Sequence, residues 1–243
     1  MKFSALAQKA AKGSAPAAYG GALEVEYLIA FAIEHGGAGA AEIERVCVLH
    51  GWLDDGLLAD GTRVVPFARW ARACAAYARE GVAGLRPLLE DPVMATFAIG
   101  VLEQLRNRDA VAALLACCER ADWRTSDADA APWKALTALN ILLSFDDSVP
   151  VDERLQHALY ETVRKAWSAT SPAHLKATAL YALRGAPLAA SLAWADALAV
   201  DDATLVSARK IVLKSLQRRL APGYAAPSAR NKREMAKARG RAT

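Results

Sequence analysis

One phrase recurs along this chain at a fixed interval. Thr96, Thr137 and Thr178 are spaced 41 residues apart (137 − 96 and 178 − 137). Their neighbours keep step: Phe97, Ala138 and Ala179; Ala98, Leu139 and Leu180; Val101, Leu142 and Leu183. A period of about 40 residues gives each unit room for two helices, and a unit of that size buries its apolar face only by stacking on its neighbours. The recurrence therefore predicts an all-α chain built as an α-solenoid of antiparallel helix pairs, which the resemblance described below implies to be right-handed, with its clearest part between Pro92 and Leu183.

Composition agrees with helix. Of the 243 residues 54% are hydrophobic, and Ala and Leu dominate that share while aromatics reach only 7%. Both are strong helix formers, and no segment after the N-terminal part is dominated by Val, Ile and Thr. Length suffices to bury a core without disulfides.

Local signals place the helices. The first unit is expected at Val93–Arg106 and Ala110–Arg120, the second at Trp133–Phe145 and Val151–Ala169, the third at Ala173–Arg184 and Leu188–Val200. Pro92, Pro132 and Pro172 stand one or two residues ahead of the first helix of each unit, where a missing amide hydrogen costs nothing. Asp109, Asp152 and Glu153 put negative charge at the starts of second helices. A last helix, Ala203–Leu220, follows Asp201-Asp202 without a partner, as a capping repeat does. Upstream, Val64–Arg79 reads as a helix and Val82–Leu89 as a short one interrupted by Pro87. Trp52 to Thr62, with Asp55-Gly56 and Asp60-Gly61, reads as a loop.

Leu23–Glu34 fits both a strand alternation and a helical stripe. With Gly37-Ala38-Gly39 and the run Ala41–His50 it mimics the strand, glycine turn and helix of a dinucleotide site, but Glu42 occupies the third glycine position and further parallel strands are missing. Two helices joined by a glycine turn account for the stretch better, and a cofactor enzyme working at Gly37 ranks as a third reading.

With Thr137-Ala-Leu-Asn-Ile-Leu142 and Thr178-Ala-Leu-Tyr-Ala-Leu183 as its phrases and Thr96–Leu102 as a looser copy, the chain resembles the HEAT-repeat family and its armadillo relatives. The resemblance divides the chain into a leader at 1–21, N-terminal helical repeats at 22–90, HEAT-like repeats with a terminal capping helix at 91–220, and a basic disordered tail at 221–243. It implies a scaffold that binds proteins; some bacterial members bind DNA. In such stacks second helices line the concave side, which makes Glu153, Arg154, Glu161, Arg164 and Lys165 the candidate partner contacts. The family's usual Asp, Val and Arg near the second helix are not preserved unit by unit.

Charge is unevenly placed. Residues 209–243 hold eleven Lys or Arg against Glu234 alone, a balance of +10, while 1–208 hold nineteen basic and twenty-five acidic residues, a balance of −6. An acidic body with a basic end points to a polyanionic or acidic partner for that end, or to the end folding back on the body. Arg230, Lys232, Arg233, Lys237, Arg239 and Arg241 are its candidate nucleic-acid contacts.

Catalytic and metal signatures are missing from the sequence. Cys47, Cys74, Cys117 and Cys118 lie in apolar runs without paired spacing and read as reduced packing thiols of a cytoplasmic protein. His35, His50, His157 and His174 lie on separate units, without paired-ligand spacing. Met1–Lys12 lacks the apolar core of a secretory signal, and no apolar run is long enough to cross a bilayer. No cofactor and no metal are expected.

Trp123, Trp133, Trp167 and Trp194 fall near helix ends and read first as packing between repeats; two of them exposed on one face would be binding anchors. Trp123-Arg124 with Asp127 and Asp129, or Trp133-Lys134, imitate a base-excision cluster, making a DNA glycosylase-like activity the enzymatic reading the resemblance leaves open. The acidic body opposes it, because duplex affinity comes mainly from neutralised phosphates. The expected function is a non-catalytic, cytoplasmic protein-binding scaffold or adaptor, with an inhibitor or immunity-type partner of a basic protein as the specific role suggested by charge. The alternative is a HEAT-like nucleic-acid binder of the DNA-repair type acting through the basic end.

Overall fold

The computed structural model describes residues 34–39, 41, 42, 45, 67–144, 149 and 151–224. Among these the regular structure is helical throughout, with no strand. Contacts divide the chain into two compact units, Met1–Gln104 and Leu105–Thr243. The loop expected at Trp52–Thr62 and the basic residues from Arg230 to Arg241 lie outside the described residues.

In the first unit α1 (Phe67–Glu80) packs on α2 (Val82–Glu90). The turn between them is Gly81 alone, at φ 63, where a side chain would be strained, and its amide donates to the Tyr77 carbonyl at 2.7 Å. Pro87 does not interrupt α2, which runs through it to Glu90. Only one backbone amide is lost at a proline, and α2 is anchored by the buried Leu85 and Leu88 on either side. The third helix, α3 (Ala95–Leu105), follows a turn in which the Met94 and Ala95 amides both donate to the Asp91 carbonyl. Trp70 of α1 meets Phe97 of α3 edge to face at 5.3 Å. Further upstream, residues 34–39, 41 and 42 are helical. Residues 37–39 are helical, and the chain breaks from the right-handed helix just before them at Gly36, whose φ is 52, so a glycine does mark a turn here, one residue earlier than expected; Glu42 pairs with Arg45 at 2.8 Å, as residues one turn apart on a helix do.

The second unit holds α4 (Arg108–Glu119), α5 (Ala131–Ser144), α6 (Glu153–Ala169), α7 (Ala173–Ala182) with a 3-10 turn at Leu183–Gly185, α8 (Ala189–Ala197) and α9 (Ala203–Leu220). Short polar side chains start three of them by accepting backbone amides that have no partner within the helix. Asn107 accepts from Ala110, Asp152 from Leu155, and Asp202 from Thr204 and Leu205. Asp109 and Glu153 sit in first turns, as their charge favours. Pro132 lies inside the first turn of α5 and Pro172 caps α7, while Pro92 falls in the turn before α3; each occupies a position whose amide a helix does not need.

Equivalent helices of the period run side by side in this unit. Helix α5 packs on α7 and α7 on α9, α4 packs on α6, and α4, α6 and α8 each pack on the helix that follows them. Direction follows from the polar ties. Arg108, opening α4, donates to Asp152, the cap of α6, so two N-termini meet. Arg184, just past α7, donates to Asn140 near the end of α5 at 2.7 Å, and Arg219 near the end of α9 donates to the Arg184 carbonyl. The C-terminal ends of α5, α7 and α9 thus gather together, and the three helices run the same way. Ser144 completes the Asn140 acceptor from one turn away at 2.9 Å.

The repeated phrase has a physical counterpart. Ala98, Leu139 and Leu180 have no exposed surface, and Val101, Leu142 and Leu183 are at most 1% exposed. The threonines do the opposite, turning back on their own helix: Thr137 donates to the Trp133 carbonyl at 2.9 Å and Thr178 to the His174 carbonyl at 3.1 Å. The second unit closes tightly at Gly185, where a Cβ would stand 2.6 Å from Leu143 Cβ and 3.0 Å from Leu159 Cδ2.

Candidate partner-binding surface

Helix α6 shows how a sequence stripe becomes a surface. Leu159, Thr162, Val163 and Ala166 are buried, which fixes its rotation and turns Glu153, Arg154, His157, Glu161, Arg164 and Lys165 to solvent. All five candidate contacts predicted on this helix are therefore exposed. Glu153 lies 3.5 Å from His157, and Glu161 lies 3.6 Å from Arg164. Exposed pairs of this kind add little stability and leave the side chains free to exchange partners.

Between the buried and exposed edges of α6 stand Tyr160 and Trp167, both half-buried. Across from them, α8 presents Trp194. Its ring meets Trp167 edge to face at 5.9 Å and Tyr160 at 6.3 Å. Two cations frame the trio: Arg164 sits 5.5 Å from the Tyr160 centroid, and Lys176 of α7 sits 5.1 Å from the Trp167 centroid. Three helices thus bring large aromatic surface and positive charge to one place in the second unit. The arrangement is suited to recognition. Stiff rings supply contact area at low entropic cost, and cations are attracted to ring faces.

The other tryptophan pair does different work. Trp123 and Trp133 also meet edge to face, at 5.0 Å, but are 6% and 1% exposed. Trp133 Nε1 donates to the Thr125 carbonyl at 3.3 Å, so the indole N–H is satisfied inside the fold. The nearby carboxylates are spent on the loop: Asp122 accepts from the Arg124 amide, Asp127 from the Asp129 amide, and Asp129 pairs with Lys134 at 2.6 Å. The Lys134 hydrogen bond holds the Asp129 carboxyl below its ordinary value. Trp123 and Trp133 are thus buried, and Asp122, Asp127 and Asp129 make contacts within the loop between α4 and α5 and with the start of α5.

Several basic residues of the C-terminal segment have internal duties. Arg209 of α9 donates to the Ala195 carbonyl at 2.9 Å and to Asp196, closing the C-terminal end of α8, where cations are favoured. The half-buried Arg184 guanidinium lies below its ordinary value chiefly because burial disfavours its charge, with Arg219 adding repulsion against the opposing effect of Tyr181. Cys74 and Cys118 are buried and Cys117 is half-buried, all as free thiols. Burial pushes the Cys117 and Cys118 thiols up. Among the described residues no group of His, Cys, Asp and Glu is placed to hold a metal ion, and no helix is long and apolar enough to cross a membrane.

Sequence reasoning named Trp167, Trp194 and Arg164 but missed Tyr160 and Lys176. Tyr160, Arg164 and Trp167 follow at i, i+4 and i+7, a spacing that places them on one stripe and was readable in advance. Lys176 had no such signal, because its ring partner lies on another helix. Compared with known proteins, the chain matches no family model, no curated protein and no solved structure.

Proposed function

We propose that this protein is a non-catalytic, HEAT-like helical scaffold that holds a protein partner on the surface formed by α6, α7 and α8. The observation that carries this reading is the half-buried trio Tyr160, Trp167 and Trp194 framed by Arg164 and Lys176. Interface energy concentrates in aromatic and arginine anchors of this kind. Support for the solenoid comes from the 41-residue recurrence together with the parallel run of α5, α7 and α9. Glu153, Arg154, Glu161 and Lys165 form the polar border of the site, where exchangeable charges set partner choice and association rate more than affinity. The −6 balance of residues 1–208 favours a basic partner, in keeping with an inhibitor or immunity-type role.

The test is affinity capture from the native host, nuclease-treated, with the full chain and with the W167A/W194A double variant. A stoichiometric protein retained by the full chain and reduced at least tenfold by the variant is the expected result. Recovery of nucleic acid alone, lost at moderate salt, overturns the scaffold reading and moves the function to the basic end at Arg230, Lys232, Arg233, Lys237, Arg239 and Arg241.

A further inference from the structure

The rings shared by α6 and α8 present chiefly hydrogen-bond donors. A satisfied indole elsewhere in the unit is Trp133, whose N–H is bonded to the Thr125 carbonyl. Trp167 and Trp194 make ring and cation contacts, but among the described residues neither indole N–H has a hydrogen-bond acceptor, and the Tyr160 hydroxyl has no hydrogen-bond partner. None of these three polar atoms is sealed from water without a partner, so each reaches solvent. Lys176 adds an ammonium that lies against the Trp167 ring, and Arg164 adds a guanidinium 3.6 Å from Glu161. Spacing is also fixed. Tyr160 and Trp167 lie seven residues apart on one stripe of α6, two turns or about 10 Å along its axis, and Trp194 meets both from α8.

We infer that the segment of the partner protein seated on these rings is extended and proline-rich, with two prolines three residues apart on either side of Trp194, carbonyls on the indole N–H groups and a carboxylate on Lys176. This rests on the reading of the same surface as the partner-binding site. The fit is chemical first. A polyproline II segment makes no internal hydrogen bonds, so its carbonyls are free to accept, and its stiff backbone is ordered before it binds. The fit is also metric, because its three-residue turn advances about 9 Å, close to the axial separation of Tyr160 and Trp167. Other occupants answer the donors less well. An α-helix has spent its main-chain carbonyls within itself and offers the indoles only side chains. Single-stranded nucleic acid stacks its bases on open ring faces, and here Arg164 and Lys176 lie over faces of Tyr160 and Trp167. The −6 balance of residues 1–208 attracts a basic partner at long range, while carbonyls meet indoles at contact, so the two preferences do not conflict.

The experiment screens the full chain against a labelled pool of 12-residue peptides in which two prolines three residues apart are fixed and the other positions vary. The tightest member is then read by fluorescence anisotropy at physiological salt. The expected result is saturable binding at least tenfold tighter than that of the same peptide with both prolines replaced by alanine. W167F/W194F keeps two rings in place and removes both indole N–H groups; it should weaken binding at least fivefold with unchanged helicity by circular dichroism. K176M should weaken it about threefold. No saturable binding by any member up to about 500 µM, equal binding of the alanine peptide, full binding by W167F/W194F, or tighter binding of a single-stranded 20-mer oligonucleotide or a Leu/Glu helical peptide overturns the inference. Should affinity capture then still recover a protein that W167A/W194A loses, the scaffold reading stands and the proline-rich occupant alone falls.

Discussion

Two tryptophan pairs in the same unit share a geometry and differ in what surrounds it. Trp123–Trp133 and Trp167–Trp194 both meet edge to face, at 5.0 and 5.9 Å. The first is sealed, with its Trp133 N–H bonded to Thr125 and its neighbouring acids spent on turns. The second is only half-buried and framed by cations. Ring pairing by itself therefore does not separate core from interface. Separation comes from the neighbours: the first pair is enclosed by its own loop, whereas the second lies at the edge of α6 with two cations over its rings and that of Tyr160.

The sharpest way to break this contrast is Trp133→Ala. Removing a fully buried indole should cost about 4 kcal/mol of stability, read as a lowered urea midpoint. If the cost is under about 1 kcal/mol, the first pair is not core. W167A/W194A should invert the pattern, with a loss of about 2 kcal/mol in partner binding and a smaller loss of stability. Equal destabilisation by the two sets would reduce both pairs to packing.

A finer test is Gly185→Ala. It places a methyl 2.6 Å from Leu143 Cβ in the seam beneath α5 and α7, and should cost about 1–3 kcal/mol of stability while partner affinity at a permissive temperature stays constant. Lys176→Met keeps the stem but removes the cation over Trp167, and should weaken binding by about 0.5–1 kcal/mol without shifting the urea midpoint.

The smallest effect lies in acid. The Arg108 hydrogen bond, with help from the Leu155 amide, holds the Asp152 carboxyl below its ordinary value. The folded group titrates lower than the unfolded one, so this tie contributes in full above about pH 4 and is lost as pH falls through the folded value beneath it. Asp152→Asn, which keeps an N-cap acceptor, should flatten the stability profile in that acid window and nowhere else; an unchanged profile would remove the tie between α4 and α6 from the account.

Much of the fold was legible because its signals are local. Asp152 and Asp202 mark the starts of α6 and α9 through bonds that span two or three residues, and the bounds of α9 match the sequence expectation. The 41-residue recurrence identified Leu139, Leu142, Leu180 and Leu183 as equivalent core positions. A local signal misled where packing outweighed it, at Pro87 inside α2.

Tertiary structure alone decided the fates of charged and aromatic side chains. Net charge treated Arg209, Lys210, Lys214, Arg218 and Arg219 as one basic segment, yet two of them close helix ends and three lie on the exposed face of α9. Four tryptophans near helix ends looked alike until their neighbours on other helices were placed. The physical reason is range. Caps, turns and helical periodicity are set within about four residues, whereas burial of an indole or the partner of a guanidinium depends on groups tens of residues away, such as Arg184 and Asn140, 44 residues apart.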